Sequence, residues 1–269
     1  MLLKNLKSLS FKSVRGRLLS VFIGPMIGLA LVVVALAIMP VPLAHADTPI
    51  VVNTPDDELN SDGDCSLREA IASANAGVDQ DACFSGGSGS PYIIQLTAGE
   101  IYTLTLAGAD EDANATGDLD VLTGTLIITT TGTGLATIDG NQIDRVLHVH
   151  NDCQVEINRV KITNGRAPDG NVGSSGSDGE AGDDGGGILN VGMLVLKNSL
   201  AINNQAGGGG TGGAGPSGGG VGEDGGDGGN GGRGGGIYNS GLLTLTHSLV
   251  NGNQSGDRGW GFCGVDGSI

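Results

Sequence analysis

One unit of sequence occurs twice near the end of the chain, and it restricts the fold more than any other feature. Gly185-Gly186-Gly187-Ile188-Leu189-Asn190-Val191-Gly192-Met193-Leu194-Val195-Leu196 returns 49 residues later as Gly234-Gly235-Gly236-Ile237-Tyr238-Asn239-Ser240-Gly241-Leu242-Leu243-Thr244-Leu245. Between 188–206 and 237–255, 9 of 19 positions are identical. Leu194, Leu196 and Leu200 meet Leu243, Leu245 and Leu249, and Asn190 and Asn204 meet Asn239 and Asn253. A short alternating segment of this kind cannot bury its apolar face alone, but it can when stacked on a copy of itself. The expected fold is all-β, a parallel β-helix.

Composition sets the class and the compartment. The 269 residues leave room for one domain behind a targeting segment; Gly reaches 52 and aromatics only 3%. The first 46 residues carry five basic side chains (Lys4, Lys7, Lys12, Arg15, Arg17) and no acid, so the remainder holds 8 basic against 29 acidic residues, a formal −21. A surface so negative repels phosphate backbones and excludes nucleic acid as a partner. The basic stretch precedes an apolar run (21–38) and Ala44-His45-Ala46 before Asp47, the layout of a secretory signal over 1–46. The run is also close to membrane-spanning length, so the alternative is an uncleaved anchor. Both place Asp47 onward outside the cytoplasm, secreted or at the cell surface.

Four cysteines suit that compartment. Cys65 and Cys83 are the disulfide candidates. Strands stacked at roughly 4.8 Å would hold Cys153 and Cys263 about 14 Å apart. That exceeds the roughly 7 Å a bridge tolerates between Cα atoms, so those two are not expected to join.

A cap is expected over 47–90. Residues 50–52 read as a first strand, followed by an acidic loop holding Asp56, Asp57, Glu58, Asp62 and Asp64, a loose carboxylate group. Ser66 and Glu69 are spaced as a capping box. Leu67, Ala70, Ile71 and Ala74 make one apolar stripe, and Gly77 supplies a helix stop. The helix is suited to covering the open end of a stacked fold.

Asp62-Gly63-Asp64-Cys65-Ser66-Leu67-Arg68-Glu69-Ala70-Ile71, with Ala74-Asn75-Ala76 and Cys83, resembles the signature of the CSLREA-domain proteins. These are similar to the polymorphic outer-membrane-protein group. The likeness continues through Thr137-Ile138-Asp139-Gly140, Asp144-Arg145-Val146 and both Gly-Gly-Gly-Ile units. It implies a right-handed, pectin-lyase-like parallel β-helix on a cell surface, with no specific biochemistry. Members usually run on for more rungs, so a truncated C-terminus is expected.

Over 91–269, β segments are expected at 92–96, 101–106, 119–122, 125–130, 136–138, 145–149, 155–157 and 160–162. Asn164, Asn204 and Asn253 end equivalent strands, and with Asn190 and Asn239 they are read as a structural asparagine ladder, since Asn tolerates the left-handed backbone of sharp turns. Two glycine-rich inserts interrupt the strands, at about 165–187 and 206–236. Gly recurs at every third position (170, 173, 176, 179, 182, 185), as in collagen, but almost without proline. They are read as solvated, flexible loops on one side of the fold, with packed extended helices as the alternative.

Candidate sites are sparse. Gly219-Gly220-Val221-Gly222-Glu223-Asp224 matches the start of the calcium nonapeptide GGxGxDxUx, making Glu223, Asp224 and Asp227 calcium candidates; no other cofactor is implied. His148 and His150 share a strand face, outward if Leu147 and Val149 point inward; with no third ligand evident they are read as exposed. Asp139, Asp144 and Arg145 form an acid–base cluster of the kind used by polysaccharide lyases and hydrolases. The expected role is a surface structural or adhesion protein that meets an extracellular surface or a glycan. A carbohydrate-active enzyme is the alternative.

Overall fold

Period-two alternation decides which side of each segment is buried. In β5 (Thr125–Thr131), Leu126, Ile128 and Thr130 are buried between half-buried neighbours. The pattern recurs at Val155 and Ile157 of β8 (Gln154–Asn158) and at Leu194 and Leu196 of β11 (Met193–Lys197). The computed structural model describes residues 48–84, 91–109, 111–215 and 224–262. The expected signal segment (1–46), Cys263 and Glu223 therefore lie outside the described residues.

Among the described residues the strands form three sheets. The first contains, in spatial order, β1 (Ile50–Val51), β2 (Tyr92–Thr97), β5, β8, β11 and β14 (Leu242–Thr246). The second contains β3 (Ile101–Thr103), β6 (Ala136–Asp139), β9 (Val160–Thr163), β12 (Leu200–Ile202) and β15 (Leu249–Asn251). The third contains β4 (Leu119–Val121), β7 (Leu147–Val149), β10 (Ile188–Asn190) and β13 (Ile237–Asn239). Every strand pairing in them is parallel. From β2 onward the chain visits the first, second and third sheets in strict rotation.

Each pass lays its apolar residues on those of the pass before. Leu126, Val155, Leu194 and Leu243 are successive Cα partners, as are Ile128, Ile157, Leu196 and Leu245. Burial is complete at Leu196 (0% exposed) and falls off at Leu245 (46%), which lies on the last strand of its sheet.

Two expected strands are shorter than alternation alone suggests, because side chains take over their backbone donors. Past Thr103, the Thr105 and Leu106 amides donate to the Asp57 carboxylate (2.7 and 3.0 Å) instead of continuing a ladder. Before Leu147, the Arg145 amide donates to Asp144 Oδ1 (2.6 Å).

The early strands are covered by helix α1 (Leu67–Ala76), which packs against β4 and β2. Both halves of the capping box form: Ser66 Oγ accepts from the Glu69 amide (3.1 Å), and Glu69 Oε2 accepts from the Ser66 amide (3.0 Å). Gly77, at φ +65°, ends the helix in the left-handed conformation that a residue without Cβ adopts freely. A Cys65–Cys83 disulfide ties the start of the helix to the segment that follows it. Arg68 is fully buried: it pairs with Asp57 (2.6 Å) and donates to the Gly117 and Asp118 carbonyls (2.8 and 2.9 Å).

The described residues of the glycine-rich inserts form a hydrogen-bonded array rather than solvated loops. Residues 168–176, 178–186, 207–215, 224–234 and 256–262 are runs outside the named strands, joined by hydrogen bonds that recur every third residue. Gly170, Gly173 and Gly176 donate to Gly208, Thr211 and Ala214, and Gly179, Gly182 and Gly185 donate to Asp227, Asn230 and Arg233. Returning runs are sewn to outgoing ones: Gly207, Gly210 and Gly213 donate to Asp183, Glu180 and Ser177. A three-residue period turns every third residue to the same neighbour, so glycine there lets backbones touch. A Cβ at Gly210 would overlap the carbonyl of Asn171.

The asparagines form two columns rather than one. Asn204 Nδ2 donates to Asn253 Oδ1 (3.0 Å), and Asn190 Nδ2 donates to Asn239 Oδ1. Asn164 stands one position earlier in the register, beside Asn203 and Gly252, all three with positive φ (54°, 56° and 66°). Its amide donates to the Asp139 carboxylate instead (3.1 and 3.0 Å).

Candidate metal centre

The two histidines do not face solvent. Leu147 and Val149 belong to the apolar core, so His148 and His150 occupy the opposite face of β7 and its continuation. That face is covered: His148 is 8% exposed and His150 half-buried. The cover is the segment 111–118, which leads into β4 and carries Asp112 and Asn114. Parallel pairing sets Asp120 of β4 directly opposite His148.

Four side chains converge there. Asp120 Oδ1 lies 2.8 Å from His150 Nε2 and 3.5 Å from His148 Nδ1. Asp112 Oδ1 lies 3.3 Å from His148 Nδ1 and 3.9 Å from His150 Nε2. The imidazole rings are in contact, with centroids 3.7 Å apart. Asp120 is wholly buried, whereas the Asp112 side chain is 70% exposed and forms the outer wall.

The Asp120 carboxylate is held from behind. Its Oδ2 accepts from the Asn114 amide (2.9 Å), and the Asp120 amide donates to Asn114 Oδ1 (3.2 Å). Asn114 Nδ2 donates in turn to the Arg68 carbonyl (3.0 Å), linking this corner to α1. Burial pushes the Asp120 carboxyl up, but the neighbouring His148 and His150 imidazoles and the Asn114 amide together outweigh it and hold the group below its ordinary range. His148 Nδ1 is buried without a hydrogen-bond partner among the described residues.

Beside this group lies a second ionic network. Arg145, 6% exposed, pairs with Asp183 (2.9 Å) and Asp118 (3.6 Å). Burial alone would lower the Arg145 guanidinium, but Asp118, Asp144 and Asp183 raise it. Asp118 is pushed up to about 8, by burial first and by the Asp144 carboxylate second, against the pull of Arg145. Asp144 and Arg145 thus meet in the interior and not in an open groove, and Asp139 is engaged separately with Asn164. The acid–base cluster expected from the sequence is divided, with its charged pair internal.

The remaining candidates are placed as follows. Asp224 and Asp227 are exposed on the glycine-rich array, and the Asp227 amide donates to Asp178 Oδ1 (2.8 Å). They belong to no potential metal-holding group among the described residues. In the acidic loop, Asp57 is committed to Arg68, while Glu58, Asp62 and Asp64 lie together. The Glu58 and Asp64 carboxyls there are raised, by burial first and then by the charge of Asp62. Glu69 holds backbone amides of the cap, at Asn60 and Ser66, whereas Arg68 holds the Gly117 and Asp118 carbonyls. Cys153 is a buried free thiol, raised by burial, whose Sγ donates to the Val121 carbonyl (3.2 Å).

Asp112 and Asp120 escape a reading of the sequence alone. The one available signal is that Asp118-Leu119-Asp120 alternates with the same period as His148-Val149-His150. No local rule joins the two across 28 residues; the parallel register does. No protein-family model, curated protein or solved structure matches the chain.

Proposed function

We infer that the chain coils as a right-handed parallel β-helix of the CSLREA type and serves outside the cell as a structural or adhesion protein. The observation that carries this reading is the persistence of the 49-residue unit through the whole pass, glycine-rich insert included. Hydrogen bonds join Asp178 to Asp227, Asn190 to Asn239, Ser199 to Ser248 and Asn204 to Asn253, each across 49 residues. Stacking of this kind yields a long lateral surface that repeats at a fixed spacing, suited to multiple weak contacts.

Rotation through three parallel sheets supports a coil, and parallel crossovers are right-handed in about 98% of cases. The basic and apolar leader, the disulfide and the acidic surface fit export. No helix among the described residues is long and apolar enough to cross a membrane. The interior placement of Asp144 and Arg145 weighs against the carbohydrate-active alternative.

The purified protein should bind cells or immobilised glycans without consuming them. Incubation with acidic and neutral polysaccharides, with and without calcium, is the test. Turnover that disappears on changing Asp144→Asn would replace this reading with an enzymatic one.

A further inference from the structure

We propose that Asp112, Asp120, His148 and His150 form a binding site for one divalent transition-metal ion of the Zn2+ class, which clasps the segment 111–118 onto the third sheet. This site stands independently of the adhesion role.

Geometry argues for it first. Four donors arranged tetrahedrally at the 2.0–2.1 Å typical of zinc lie roughly 3.3 Å from one another. The four nitrogen–oxygen separations across this group are 2.8, 3.3, 3.5 and 3.9 Å, scattered about that edge length. All four donor atoms fall within 4.8 Å of each other. Neighbouring hydrogen-bonded residues meet in pairs; here each imidazole nitrogen faces both carboxylates.

Donor chemistry narrows the ion. Two imidazoles with two carboxylates suit zinc, cobalt, nickel or copper, whereas calcium and magnesium take oxygen. The two carboxylates also cancel the charge of a divalent ion.

The surroundings complete the case. Buried polar atoms without partners are rare in folded proteins, and His148 Nδ1 is one, on a residue 8% exposed and aimed between Asp112 and Asp120. A hydrogen bond from His150 to Asp120 leaves it unanswered; an ion between the four groups satisfies it. Outer-shell support of the kind that orients metal ligands is present, since Asn114 fixes Asp120 Oδ2 and leaves Oδ1 free to point inward. Asp112, on the exposed side, gives the ion a route in.

The test is titration of the chelator-treated, full-length protein with Zn2+ and with Co2+. Saturable binding of one ion per chain is expected, with a visible Co2+ spectrum of the intense four-coordinate type and no competition from Ca2+. Asp112→Asn, at an exposed position where folding is not at stake, should weaken Zn2+ binding by roughly 10-fold or more. His150→Ala should abolish it, and His247→Ala should leave it unchanged. At the same Zn2+ concentration the melting temperature should rise clearly less for the Asp112→Asn variant than for the native chain. Absence of saturable binding, a weak six-coordinate Co2+ spectrum, or binding insensitive to Asp112→Asn would overturn the proposal.

Discussion

Leu194 and Leu243 stand directly opposite each other on neighbouring parallel strands, although 49 residues of chain separate them. The same distance along the chain separates Leu196 and Leu245, also Cα partners. The two leucines of that second pair differ in surroundings, one enclosed between two strands and the other on the last strand. Leu196→Ala should therefore cost about 2–5 kcal/mol, the usual range for an enclosed leucine. Leu245→Ala, nearly half exposed, should cost clearly less. Urea unfolding of both variants decides it; equal losses would mean that the last pass is as well packed as the one before.

The glycine-rich array makes a sharper prediction, because adjacent glycines differ in what a side chain would meet. At Gly210 a Cβ collides with the Asn171 carbonyl, whereas at Gly208 its nearest contact is Asp169 Oδ1 at 3.4 Å. Gly210→Ala should destabilise by about 1–3 kcal/mol, as over-packing does. Gly208→Ala should be neutral within the error of a thermal melt. If both are neutral, the runs are not in backbone contact.

Arg68 is a structural clamp. Removing it leaves the Asp57 carboxylate without its counter-charge, held only by the Thr105 and Leu106 amides, and the Gly117 and Asp118 carbonyls without their guanidinium donor. Arg68→Ala should cost roughly 3–5 kcal/mol, the range for breaking one side of a buried pair. Arg68→Lys should recover little, since a single ammonium cannot reproduce the planar fork. Full rescue by lysine in denaturant melts would contradict this role.

Asp118 supplies a dependence on pH. Its folded value of about 8 lies far above the ordinary 3.8, so the folded chain keeps a proton that the unfolded chain releases between those limits. The stability associated with this group is therefore complete below about pH 4, falls as pH rises toward 8, and is level beyond, with a slope of up to about 1.4 kcal/mol per pH unit. Asp120, held low, acts with the opposite sign and only at the acid end, where its stabilisation is lost as pH falls. Denaturant midpoints in chelator at pH 5 and pH 8 should show the loss, and Asp118→Asn should flatten it. A midpoint that rises between those values would refute the assignment.

Much of this fold is written in local pattern. The leucine alternation of 194–196, the spacing of Ser66 and Glu69 and the stop at Gly77 each act within a few residues, where sequence rules reach. What stayed hidden depends on register between distant segments. Nothing near Asn164 says that it aligns with Asn203 and not Asn204; a single-residue offset in the pairing of β9 with β12 decides that. The glycine triplets announce a three-residue period but not their partners, so loop and packed array read alike. The exposure expected for His148 and His150 fails for the same reason, because the covering segment arrives from 111–118.

The layering of the first sheet can be measured most directly with paired nitroxide labels. Gln95, Thr129, Asn158, Lys197 and Thr246 are successive Cα partners on β2, β5, β8, β11 and β14. In a Cys153→Ala, Cys263→Ser background, labels at 95 and 197 should lie about 14 Å apart through the backbone, and labels at 95 and 246 about 19 Å, one strand spacing more. Dipolar spectroscopy resolves that step. Distances that grow by one spacing are the predicted result; a 95–246 distance equal to or shorter than 95–197 would contradict the stack.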